Sequence, residues 1–237
     1  MVARETYALE EVSEALAAAD VPATQEALER LTAYTGILLQ EAIPLGFVGP
    51  QEADRLLTRH IVESAVLSHF IEPGDRVVDV GSGAGLPGLV LACLGWRVDL
   101  VEVTEKRAAF LDSAIQRLGV DGHVHNVRAE DAGRSELRES ADVVLARALA
   151  APGVALELCV PLARVGGRVL IPATEDPSRE AALVRVASQL GGGSPIWEEL
   201  PVPGVDPPRY VMMVDKVRPT TDAFPRRPGV PKRRPLG

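Results

Sequence analysis

The 237-residue sequence has only two cysteines, Cys93 and Cys159, far apart and in apolar surroundings, with no Cys-x-x-Cys pair and no Cys/His ligand spacing. A disulfide framework and a thiolate metal centre are thereby excluded; two buried, reduced thiols and no metal are expected. Aromatics are few: four Phe, three Tyr and two Trp. That leaves no stacking platform of the kind single-strand nucleic-acid binders place under the bases. No apolar run reaches the roughly 18 to 20 residues that cross a bilayer. The longest, residues 84–96, is interrupted by Gly and Pro. The first twenty residues carry acids where a secretory signal would carry a basic stretch and an apolar core, so a cytoplasmic protein without membrane contact is expected.

What is present is enough for a core. Apolar residues make up 46% of the chain, and 21 Gly with 19 Pro stay below the share at which disorder sets in. The length suits one domain with an appendage. Acids outnumber bases, for a net charge of −8, which by itself argues against a polyanionic partner. The bases are unevenly placed, however. Residues 216–237 hold Lys216, Arg218, Arg226, Arg227, Lys232, Arg233 and Arg234 against the single acid Asp222. An acidic body with a basic, Pro-rich end suggests a polyanion gripped from one side, the alternative being a solvated terminus.

Apolar spacing predicts helices over 8–19, 24–42 and 51–70, so an N-terminal helical cap, residues 1–72, precedes everything else. After Pro73-Gly74-Asp75 short β-branched runs alternate with helices. Strands are expected at 76–80, 97–103, 123–127, 142–145 and 168–171, with helices at 86–95, 105–118 and 152–163. This alternation describes a doubly wound, mostly parallel α/β sheet. Two late runs, 196–202 and 210–217, predict an antiparallel hairpin along one side, for seven strands and a domain over 73–217. The segment 218–237 has too little apolar content to fold by itself.

The first strand runs through Asp79-Val-Gly81-Ser82-Gly83-Ala-Gly85-Leu86-Pro87-Gly88 into a helix. Glycines here admit positive φ and let a ligand approach the backbone. The loop lies at the carboxyl end of a strand, where open α/β sheets bind ligands. Two cofactors compete for it. Gly83-Ala-Gly85-Leu-Pro-Gly88 matches the dinucleotide pattern GxGxxG, whereas the whole run reads Asp-x-Gly-x-Gly-x-Gly, the pattern of Rossmann-like class I methyltransferases that use S-adenosylmethionine. Glu102, at the end of the second strand, suits ribose hydroxyls in either case. Asp79 favours the second reading, because a carboxylate there opposes dinucleotide phosphates but helps seat a cationic amino group. The short chain after the fourth strand, lacking room for a dehydrogenase's substrate domain, and the late hairpin favour it too.

From about Leu56 to Leu236 the sequence resembles the bacterial small-subunit ribosomal RNA guanine-N7 methyltransferases, also called glucose-inhibited division protein B. The resemblance is carried by Arg59-His60-Ile-x-x-Ser64, the extended glycine motif, Lys106-Arg107-x-x-Phe110-Leu111, Arg128-Ala129-Glu130 and Arg147. It continues in Pro161-Leu-x-x-x-Gly-Gly167 and the tail Phe224-Pro-Arg226-Arg227-x-Gly229-x-Pro231-Lys232-x-x-Pro-Leu236. Three stretches depart from it. Ala146-Arg147-Ala148 stands where the family shows Ser-Arg-Ala, Ile171-Pro172-Ala173 replaces Leu-Lys-Gly, and Leu45-Gly46-Phe47 falls near the usual Asn-Leu-Thr.

The resemblance implies methylation of N7 of a guanine in 16S rRNA, with an assembled small ribosomal subunit preferred over short RNA; a monomeric enzyme is expected. Cofactor contacts are expected from Asp79, Gly81, Ser82, Gly83, Gly85, Leu86, Glu102, Ala129, Glu130 and Arg147, with Glu130 near the adenine amino group. Arg147, ending the fourth strand, is expected at the substrate base. Lys106, Arg107, Arg128, Arg226 and Arg227 are expected on RNA phosphates. Of the histidines, His60 is read as positioning its helix, and His69, His123 and His125 as surface or strand-edge residues. Guanine N7 has a free lone pair and no proton to lose, so no general base is required and alignment is the main task. A nicotinamide oxidoreductase, a non-catalytic RNA-binding module, and a methyltransferase for another RNA or a small metabolite are the competing functions.

Overall fold

The computed structural model describes residues 6–173 and 181–236. Helix α1 (Leu9–Ala18) puts Val12 and Leu16 on one face, and Glu11 accepts the Ala8 N–H that opens it. Thr24 caps α2 (Gln25–Ile37) by accepting the Ala27 N–H at 3.2 Å. The single helices expected over 24–42 and 51–70 change hydrogen-bond register along their lengths. The first widens into a π turn, Leu38–Ala42. The second runs through a 3-10 turn (Pro50–Arg55), a π turn (Leu56–Val62), a short α turn α3 (Glu63–Ala65) and a second 3-10 turn (Val66–Phe70). Over five to seven residues these forms bury nearly the same apolar positions, so periodicity does not tell them apart.

The sheet contains β1 (Arg76–Val80), β2 (Arg97–Val101), β3 (Gly122–His125), β4 (Ala141–Leu145), β5 (Ala163–Ala173), β6 (Ile196–Leu200) and β7 (Arg209–Asp215). Their spatial order is β3-β2-β1-β4-β5-β7-β6, with β7 antiparallel to both its neighbours. This is the doubly wound seven-stranded arrangement expected, with the late hairpin at one edge. Between them lie α4 (Gly88–Cys93), α5 (Glu105–Leu118), α6 (Ala129–Ala132), α7 (Pro152–Cys159), α8 (Ala181–Leu190) and, after β7, α9 (Val230–Arg233). The chain leaves β1 towards β2 on one side and returns to β4 on the other, and Asp79 is in register with both Leu100 and Leu145. The crevice at this reversal is the usual ligand site of the fold.

Strand alternation builds two cores. Val77, Leu100 and Leu145 face the N-terminal helices, α4 and α5, whereas Val78, Val80 and Val144 face α7, α8 and Phe224. The N-terminal helices therefore share a core with the sheet. Among the described residues no helix is long and apolar enough to cross a membrane.

The tail departs from expectation. Phe224 is buried against the second core, and Arg226 grips the fully buried Glu157 through Nε–Oε1 at 2.8 Å and Nη2–Oε2 at 2.5 Å. Arg138 donates to the carbonyls of Thr220 and Phe224, and Arg134 to that of Pro225. Lys216, counted above among the bases of a polyanion grip, is buried; its ammonium donates to Val160 O, Ala163 O and Thr220 Oγ1 and pairs with Glu139. Lys216 and Arg226 are thus structural anchors. Composition counts only apolar burial, while this segment is held by charged groups of the body that satisfy its carbonyls. Arg227, Lys232, Arg233 and Arg234 stay exposed.

Arg226→Ala leaves the Glu157 carboxylate buried without its cation. The variant is expected to lose about 3 kcal/mol of unfolding free energy in urea titrations; a purely phosphate-binding arginine would leave the midpoint unchanged.

Candidate active site

The glycine loop is tied down from three directions. The Gly81 N–H donates to Val101 O at 2.8 Å, the Asp79 carboxylate accepts the Gly88 N–H at 3.0 Å, and the Tyr34 hydroxyl of α2 donates to Ala84 O at 2.6 Å. Gly81, Gly83 and Gly85 have φ of 76°, 59° and 91°, which L side chains rarely adopt. Gly88 is needed for a different reason: a Cβ there would lie 2.4 Å from Leu100 Cδ2 and 2.7 Å from Asp79 Oδ2. Pro87, expected in the first turn of the helix, is its N-cap residue.

A cavity of about 280 Å³ opens beside this loop. Gly81, Glu102, Val103, Val127, Ala129 and Leu149 are among its walls. Glu102 accepts the Gly83 N–H at 3.0 Å on one carboxylate oxygen and the Thr104 N–H at 2.7 Å on the other, so each oxygen keeps a lone pair for a hydroxyl donor. Glu130 and Arg128 also line this cavity, and Oε1 of Glu130 accepts the Gly229 N–H of the tail at 2.7 Å. Of the other expected cofactor contacts in the loop, Asp79, Ser82, Gly85 and Leu86 are buried and Gly83 is half-buried, and none of the five is among the residues that line this cavity.

A second cavity, of about 570 Å³, lies across the loop that follows β4. Arg59, His60, Glu63, Arg147 and Arg209 supply its polar groups; Leu149 and Ala150 line both cavities and divide them. Arg147, expected among the cofactor contacts as well as at the substrate base, lies in this larger space. One of its Nη atoms is 3.0 Å from His60 Nδ1, and His60 Nε2 is 3.2 Å from Glu52 Oε2. A guanidinium only donates, so Nδ1 must be the acceptor and the ring proton sits on Nε2, facing Glu52. Burial and the Arg147 charge push the His60 pKa down to about 4, keeping the ring neutral. Arg209 of β7 pairs with Glu63 of α3 at 2.8 Å.

Sequence reasoning missed Glu63, Arg209 and the His60–Arg147 contact. The Arg59-His60-Ile-x-x-Ser64 motif pointed to the first of these segments; Arg209, inside a turn-rich stretch, carried no local signal. Lys106 is exposed on α5, and Arg107 lies over the Phe47 ring at 5.6 Å. Among the described residues no three His, Cys, Asp or Glu side chains gather to hold a metal.

Comparison with known proteins bears on the chain as a whole. Residues 27–193 match the family model for rRNA small subunit methyltransferase G. The chain is 40% identical to the ribosomal RNA small subunit methyltransferase G of Roseiflexus sp. over 90% of its length and 93% of that protein's. It is 38% identical to the one of Rubrobacter xylanophilus over 91% and 86%. Among solved structures, the 1,6-didemethyltoxoflavin-N1-methyltransferase of Burkholderia thailandensis superposes with a TM-score of 0.53 at 17% identity, covering 78% of this chain and 90% of that one. A geranyl diphosphate methyltransferase does so with a TM-score of 0.51 at 15% identity, covering 75% and 92%. The smaller cavity suits S-adenosylmethionine: apolar walls from Val103, Val127 and Leu149 suit a nucleobase, Glu102 suits ribose hydroxyls, and Gly81 brings backbone without a side chain to the wall.

Burial lifts the Asp79 pKa from 3.8 to about 6, against the opposing pull of the Gly88 N–H and the Arg147 charge. The folded state therefore holds this proton more tightly than the unfolded chain does, and the stability that the protonated acid gives is lost as pH rises from about 4 through 6. Asp79→Asn keeps an acceptor for Gly88 and cannot ionise. Its ligand-free stability relative to the parent is expected to be flat below pH 4 and to rise by about 2 to 3 kcal/mol by pH 7, measured by denaturant titration at each pH. An offset that does not vary with pH contradicts a carboxyl whose pKa rises on folding.

Proposed function

We propose, since the chain belongs to the rRNA small subunit methyltransferase G family, that it transfers the methyl group of S-adenosylmethionine to N7 of a guanine in 16S rRNA. The observation that carries this reading is the pair of cavities meeting at Leu149 and Ala150, one walled for a nucleoside and the other centred on Arg147. S-adenosylmethionine supplies an already activated methyl group. The protein's own task is alignment, which is worth on the order of 7 to 11 kcal/mol of a barrier of this type.

In this reading Glu102, Gly81 and Ala129 hold the nucleoside end, and Asp79 with Ser82, Gly83, Gly85 and Leu86 shapes the loop for the amino-acid end. Arg147 is the substrate-side residue. Its contact with neutral His60 uses one N–H and leaves four donors for guanine O6 or a flanking phosphate, without cancelling the positive charge. No side chain has to remove a proton, which agrees with a histidine whose only lone pair is already engaged by Arg147. Glu63 and Arg209 close the rim of the acceptor cavity.

Lys106, Arg107, Arg128 and Arg227 take RNA phosphates; Arg226 is withdrawn from that role by Glu157. The domain limits follow the same logic, with a helical cap over 1–72 that supplies His60 and Glu63, a methyltransferase domain over 73–217 and a tail over 218–237. With few aromatics to stack bases, affinity comes from phosphates and the shape of a folded target, so the assembled small subunit is the substrate; the enzyme works as a monomer in the cytoplasm.

Arg147→Ala is expected to lower kcat about 100- to 1,000-fold on small subunits while leaving S-adenosylhomocysteine affinity within about threefold. Mass-spectrometric mapping of 7-methylguanine in 16S rRNA, from cells with and without the protein, reads the product. Retained turnover in the variant overturns the assignment of Arg147, and an unchanged methylation map overturns the substrate.

A further inference from the structure

The described part of the tail is fixed to the body on both sides of residues 229–232. Upstream, Arg226 is bound through its backbone N–H and its guanidinium to Glu157 of α7. Downstream, Leu236 packs against the second core, and its carbonyl oxygen lies 3.1 Å from where a Cβ on Gly153 of α7 would stand. Between these anchors the Gly229 N–H is given to Glu130 at 2.7 Å, and Pro231 is buried. Gly229, Pro231 and Lys232 line the smaller cavity opposite Gly81, Glu102 and Val103. Val154 and Leu158 of α7, which flank the Glu157 that holds Arg226, line it as well.

We infer that residues 229–232 form a wall of the cofactor cavity, so that docking of the tail and binding of the cofactor are thermodynamically linked. This rests on the reading of that cavity as the S-adenosylmethionine site. Glu130 acquires a role different from the one its position suggested: its Oε1 fastens the wall, and Pro231 closes the space in front of it. A chain whose wall is absent presents the cofactor with an open trough, and any affinity the wall adds is returned as tighter docking of the tail when the cofactor is bound.

The test uses S-adenosylhomocysteine as the probe. Calorimetry compares the full chain with a chain ending at Pro228, which keeps the Phe224 and Arg226 anchors, its fold checked by circular dichroism. The truncated chain is expected to bind about tenfold more weakly. A second arm uses the full chain only, so that it stands even if truncation disturbs the fold. Limited trypsinolysis after Lys232 and Arg233 is expected to slow about fivefold when the probe is saturating. Equal affinity of the two chains, or cleavage indifferent to the probe, overturns the inference. Absence of any heat from the full chain overturns the cofactor reading itself and is distinguishable from both.

Discussion

A carboxylate closed off from water at the end of β1 is the constraint around which the site is organised. Asp79 lies on the strand face turned towards α4, and its ionised form is held by the Gly88 N–H and the field of Arg147. That arrangement leaves no room for a side chain at Gly88, sets where α4 begins and draws the glycine loop tightly around the crevice. The loop is then held from outside by Tyr34, so the N-terminal helices are part of the site's scaffold as well as a cover. Keeping a charge there costs stability, and the sheet and cap cores together supply the surplus that tolerates it.

Arg147 is a cation that is oriented without a carboxylate bonded to it. A carboxylate bonded directly to Arg147 would fix the guanidinium but cancel most of its charge. A neutral imidazole fixes it through one hydrogen bond and cancels nothing, and Glu52 selects the tautomer that makes this possible. Glu52 is placed one residue further away, behind the ring, while Glu63 and Asp79 act on the guanidinium as nearby charges. Directly after Arg147 the chain turns left-handed at Ala148, with φ of 54°, and then delivers Leu149 and Ala150 to the partition between the cavities. A strained alanine at that spot marks where the chain is bent to serve the site.

Much of this was legible beforehand. Strand alternation, the glycine run and Glu102 at the end of β2 are local patterns, and they located the sheet, the loop and the carboxylate that accepts the Gly83 N–H. The docking of the tail is not legible in its own sequence because its stability lies in partners far away in the chain: Glu157 for Arg226, Arg138 and Arg134 for its carbonyls. A count of apolar residues has no access to such pairs. The N-terminal segments were seen as helical but not as mixed π and 3-10 turns, because their apolar spacing is compatible with each of these forms.

What this amino-acid order determined by itself was whatever depends on consecutive residues: a parallel sheet, a tight glycine turn and its acidic companions, a basic end. Only the tertiary structure decided that His60 meets Arg147 across 87 positions, that Arg209 meets Glu63, and that residues near 230 wall the cavity begun at Gly81. The physical reason is one of range. Backbone sterics act between neighbours and leave a mark in the local pattern, whereas a hydrogen bond between distant side chains exists only after the chain crossings have placed both ends.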